Sequence, residues 1–119
     1  MSLEEVTMDS ILTSIKKQLG IEEDYEHFDP DIIMCINTAF MTLTQLGVGP
    51  KEGFFISDKT SVWSDFIPEG SNLEGVKTYI YLKAKLVFDT PSASVIEAMK
   101  SMINELEWRI NAEVESAES

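Results

Sequence analysis

Few residues of this chain have side chains suited to catalysis. Cys35 is its one cysteine and His27 its one histidine. An internal disulfide and a zinc site of the usual Cys/His type are therefore excluded. Cys35 falls mid-helix beside an apolar stripe, where a small buried side chain is the common outcome and a nucleophile the rare one. His27 has no Ser or Cys partner at any motif spacing and reads as a surface histidine. The carboxylates around it, Glu22, Glu23, Asp24 and Glu26, have the type of side chain that holds calcium. They lack the Asp-x-Asp-x-Asp-Gly order and the closing Glu of an EF-hand, so they read as a solvated acidic loop. There is no glycine-rich phosphate loop, nucleophile elbow or HExxH pair. No catalytic, cofactor or metal residue is assigned, and the chain is expected not to be an enzyme.

The remaining candidates bind rather than react. Trp108 projects away from the apolar stripe of its helix, among Ser101, Asn104, Glu105 and Asn111. An indole on a polar face usually covers something, and tryptophan is enriched at interface hot spots. Trp108 either contacts another subunit or lies under a folded-back loop; the first predicts that Trp108→Ala weakens self-assembly more than monomer stability. Lys83 sits inside the apolar arc of its helix. It must be paired or reach water, and a salt bridge across a subunit boundary is the sharper expectation. Trp63, Asp65 and Phe66, in SVWSDFI, form an aromatic-acidic cluster that either plugs the end of the bundle or docks a partner. Phe54 and Phe55 precede them in the same segment.

Helices must position these residues. Met8, Ile11, Leu12, Ile15 and Leu19 repeat at helical spacing, predicting a helix from Glu5 to Leu19 with Gly20 as its stop. Ser2 and Glu5 have capping-box spacing. The segment FDPDIIMCINTAFMTLTQLGVGP, residues 28–50, predicts a second helix. Asp29 is its N-cap, Pro30 takes the first helical position, Asp31 lies in the first turn, and Gly47 ends it. Ile32, Ile36, Ala39, Leu43 and Leu46 form its stripe. A third helix is predicted from Leu73 to Phe88, capped by Asn72 and central because its apolar arc is wide. A fourth follows Thr90-Pro91 and runs to Val114, with Val95, Ile96, Met99, Met102, Ile103, Leu106, Ile110 and Val114 in one stripe. Residues 47–71 are a long connection, too apolar for simple disorder, with a short helical turn expected at Ser61–Phe66. The expected fold is all-α: one small four-helix domain over residues 1–119, with one long aromatic-rich loop between helices two and three. Residues 1–4, which resemble a vector-derived start, and 115–119 are expected to fray.

The 119 residues suit one core. The formal net charge is −12, with acidic residues outnumbering basic ones 11 to 4 in the first sixty residues and 10 to 5 in the rest. Such a surface disfavours tight duplex binding, which needs clustered lysine and arginine. No apolar run is long enough for a membrane span and no signal-peptide pattern appears, so assembly inside the cell is expected.

The wording of four segments goes further. DIIMCINTAFMTLTQLGVGP (31–50), WSDFI (63–67), VKTYIYLKAKLVFDTP (76–91) and LEWRIN (106–111) together resemble the head-to-tail connector, or adaptor, proteins of tailed bacteriophages and prophages of Gram-positive bacteria. The resemblance runs from about Ile11 to Asn111. It implies a small helical protein that forms a ring under the portal, usually twelvefold. That ring extends the DNA channel and carries the tail or its stopper. It implies no enzymatic activity, and a place at the head–tail junction of the virion after assembly in the host cytoplasm. DNA would pass through without being held tightly. The competing reading is a small acidic helical adaptor or regulatory module that binds one protein partner as a monomer or dimer.

Overall fold

Ser10 sets the start of the first helix. In this computed structural model, which describes residues 10–67, 73–88 and 92–118, Ser10 is extended (φ −63°, ψ 130°) and its Oγ accepts the Thr13 N–H at 3.3 Å. That is an N-cap, so α1 is Ile11–Leu19 rather than a helix continuous from Glu5. Glu5, Met8 and the Ser2/Glu5 spacing lie outside the described residues. The remaining helices are α2, Asp29–Gln45; α3, Trp63–Phe66; α4, Leu73–Phe88; and α5, Ala93–Glu118. Five helices and no strand are present among the described residues, and α3 is a single turn inside the long connection. The predicted caps Asn72, Thr90 and Pro91 lie outside the described residues. α5 continues four residues past Val114.

Asp29 does not cap α2. It is the first helical residue, Phe28 occupies the cap position, and no side chain caps the end. Lys16 draws the Asp29 carboxylate away, with Nζ 2.8 Å from Oδ1. The other end is written plainly in the sequence. Gly47 has φ +93°, the Gly47 N–H reaches the Thr44 carbonyl at 3.0 Å and the Val48 N–H reaches that of Leu43 at 2.9 Å. This pair of bonds is a Schellman motif with glycine in the left-handed position.

α4 is the central helix and packs against α1, α2 and α5. Val76, Tyr79, Ile80 and Ala84 of α4 are fully buried with Ile11 and Ile15 of α1 and Ile32, Ile36, Ala39, Phe40 and Leu43 of α2. α5 makes its main contact with α4 alone, so only a narrow line of it is covered: Met99, Ile103 and Ile110. Val95 and Met102, which the periodicity places in the buried stripe, are 44% and 48% exposed. One neighbouring helix cannot cover an arc that wide.

The second half of the connection after Gly47 is pinned to α2 and to the start of α1. Asn37 of α2 accepts the Ile56 N–H at 2.8 Å and donates to the Ile56 carbonyl at 2.9 Å, imitating a strand partner. Ser10 Oγ donates to the Lys59 carbonyl at 2.7 Å, and the Ile11 N–H donates to that of Ser61 at 3.0 Å. Asn37→Leu should cost about 1–3 kcal/mol, because it leaves two backbone groups of Ile56 without partners. Asn37→Asp, which still accepts, should lose less. Urea midpoints of the two variants check this, and equal losses would contradict it.

Candidate protein-contact surface

The aromatic segment that the sequence offers as a docking knob points inward. Trp63 is 1% exposed and Phe66 4%. The Trp63 Nε1–H donates to Ser14 Oγ at 3.0 Å, and Lys77 Nζ lies 5.5 Å from its ring centroid. Phe66 stacks on Phe40 at 4.6 Å and on Phe54 at 5.2 Å, with Phe40 and Phe54 themselves 5.1 Å apart. This three-ring cluster fits only because Gly49 passes beside it; a Cβ there would strike the Phe66 ring, and φ is +83°. Asp65 turns back to accept the Val62 N–H at 3.1 Å and closes the α3 turn. Trp63 and Phe66 therefore plug the core and offer no surface in this chain, and Phe54 is half-buried against them.

Besides Asp65, which is exposed on α3, two candidate residues face out. Phe55 is exposed in the connection, and Trp108 is 71% exposed on α5. The connection does not fold back over Trp108, which stays 71% exposed, while Phe54, Trp63 and Phe66 are engaged with α1 and α2. Lys83 is half-buried, with its amine 5.8 Å from the Tyr79 ring centroid. The structure does not gather the candidates into one site: Phe55 and Trp108 lie on separate elements.

The deeply buried lysine is Lys16, not Lys83. Lys16 is 2% exposed, and its ammonium donates to the carbonyls of Glu23 at 2.9 Å and Tyr25 at 2.8 Å besides meeting Asp29. The signal for it was its position, with Leu12 four residues before and Leu19 three after on the apolar face. His27 is exposed and stands edge-on to Phe28 at 4.9 Å. Burial, and secondarily the charge of Asp31, push the Cys35 thiol up, which opposes the thiolate a nucleophile needs. Among the described residues no group of three or more His, Cys, Asp or Glu could hold a metal ion. No helix among them is long and apolar enough to cross a membrane.

A second buried polar link joins α4 to α5. Tyr79 donates to Glu107 Oε2 at 2.7 Å. Burial, then the hydrogen bond to Glu107 and its negative charge, push the phenol well above its ordinary 10.0. A raised folded-state pKa contributes stability that is present below pH 10 and lost as pH rises beyond it, because only the unfolded chain then releases the proton. The stability of the natural chain should fall as pH rises past 10, and that of Tyr79→Phe should fall less. Parallel slopes for the two chains would remove the phenol as the cause.

The described residues thus present an outward indole on a helical scaffold. Residues 11–117 match the family model of the phage connector protein. The chain belongs to the phage connector family. That assignment agrees with the resemblance carried by the four segments, and the match runs from the first residue of α1 to the penultimate residue of α5. Connector proteins serve phage assembly structurally, at the junction of head and tail. Comparison with curated proteins and with solved structures gives no match.

Proposed function

We propose that this chain joins the portal at the head vertex to the tail, in a ring that extends the DNA channel and follows the portal's twelvefold symmetry. Membership of the connector family carries the reading. A ring of identical subunits needs two unlike surfaces that meet head to tail. Exposed apolar side chains occur on unlike faces: Met34 and Met41 along α2, Phe55 in the connection, and Val95 and Met102 on α5. Phe54, Trp63 and Phe66 act beneath such contacts by seating the connection, and Asp65 closes its helical turn from the exposed side. In this reading Lys83, half-buried beside the Tyr79 ring, reaches out to a carboxylate of a neighbouring subunit. The net charge of −12 suits a channel through which DNA passes, since each phosphate contact avoided lowers friction. The protein is one domain, works at the head–tail junction of a phage or prophage of Gram-positive bacteria, and assembles in the host cytoplasm.

Mixing the chain with the cognate portal protein and imaging the product by electron microscopy tests this. A ring of portal symmetry, with no dense basic lining, is the expected result. A monomer or dimer that leaves the portal bare would favour the small adaptor module instead.

A further inference from the structure

The outward face of α5 has an unusual make-up for a protein-contact surface. Trp108 is the most exposed large apolar side chain described. Helical spacing places Asn104, Glu105, Asn111 and Ala112 around it, with Glu115 two turns on and Glu97 three turns back. Lys100 and Arg109 fall outside this arc, on either side, and Arg109 donates to Glu105 from Nε at 3.1 Å and Nη2 at 2.9 Å. One indole among amides and carboxylates is too little apolar area for a dry helix-on-helix seam, which needs an apolar residue every three or four positions. A ring face within a negative potential is instead what a guanidinium or ammonium group binds.

We propose that this face docks a basic segment of a different protein, with an arginine or lysine side chain laid on the Trp108 ring and further cations met by Glu97 and Glu115. The inference rests on the connector reading and names the chemistry of one partner. A second copy is the poorer occupant, contrary to the self-assembly expected from the sequence. A two-fold contact through Trp108 would oppose like charges. Nor does the chain present a complementary patch of its own. Lys16 is buried against Asp29, and Lys77, Lys83 and Lys85 are half-buried over the rings of Trp63, Tyr79 and Tyr81. The exposed lysines Lys17, Lys51, Lys59 and Lys100 are dispersed over α1, the connection and α5.

The two tryptophans make the test direct. The Trp63 indole N–H is bonded inside the core and that of Trp108 is exposed, so their nitrogen–proton NMR signals report separately once Trp108→Phe assigns them. The probe is a nine-residue Gly-Arg repeat peptide added to the full chain, with a Gly-Gln repeat as the uncharged control. A saturable shift of the Trp108 signal is expected with the first peptide alone. Trp108→Ala should weaken binding about twofold to fivefold, and Glu97→Gln combined with Glu115→Gln should weaken it similarly, with thermal midpoints unchanged. Equal affinity for Trp108→Ala, or shifts spread over the whole surface, would mean attraction to net charge alone and overturn the proposal. Loss of self-association in Trp108→Ala with peptide binding intact would overturn it in favour of a second copy. Portal-bound rings that form normally while the peptide fails to bind would overturn this inference and leave the connector reading standing.

Discussion

Lys16→Met is expected to remove about 3–5 kcal/mol of folding stability, the range found when one partner of a buried ion pair is deleted. Methionine replaces most of the lysine stem, so lost packing is a minor part. The loss comes from what the ammonium leaves behind. Its three donors are matched by three acceptors at 2.8–2.9 Å: the Glu23 and Tyr25 carbonyls and the Asp29 carboxylate. In the variant all three lose that donor in a site where the lysine side chain was 2% exposed. Small domains hold about 5–15 kcal/mol in total, so this single residue accounts for a large share. Asp29→Asn in the same chain removes the stranded charge and should recover part of the loss. Urea denaturation of the single and double variants measures both effects. Hydrogen exchange should show residues 22–28 released first, because the Lys16 ammonium holds two carbonyls of that acidic connection against α1. A loss below about 1 kcal/mol would mean the carbonyls find water without strain.

The readable parts of the sequence were those governed by neighbours three or four residues away. α4 spans Leu73–Phe88 as its periodicity predicts, and α2 is ended by Gly47 through backbone bonds to Leu43 and Thr44. The direction of Trp108 followed from helical spacing alone. What could not be read depended on where a non-helical path runs. Lys16 finds two of its acceptors on the backbone of a loop, and no side-chain pattern announces a carbonyl. Asn37 looked like one polar residue in an apolar helix; its partner Ile56 is nineteen residues away. Asp29 had the right type and place for a cap, but a buried lysine outcompeted the helix end for its carboxylate. Lys83 and Val95 show the opposite error. Periodicity says which side chains share a face, not whether a neighbouring element is long enough to cover them. Val87, near the end of α4, is 61% exposed, so the apolar arc outlasts its cover there.

The paired tryptophan variants carry the other large effect. Trp63→Ala should cost about 3–5 kcal/mol, and Trp108→Ala should stay within about 0.5 kcal/mol of the natural chain. Trp63 fills the space between α1 and α4, takes the Ser14 hydroxyl as its acceptor and has Lys77 above its ring. Its removal leaves a cavity beneath the α3 turn and loosens the segment that seats Phe66 on Phe40. Trp108 makes no such contacts and lies in water, so truncating it changes the surface and not the core. Thermal denaturation ranks the two variants, and the association assays rank them in reverse. Trp63→Ala, studied well below its melting temperature, should keep the α5 face and its binding. Trp108→Ala should keep the fold and lose affinity. Were Trp63→Ala instead stable and defective in association, the long connection would be a docking element after all. The division of labour between an inward aromatic plug and an outward indole would then be wrong. That division holds the connection against α1 and α2 through Trp63 and Phe66 and leaves the indole of α5 exposed.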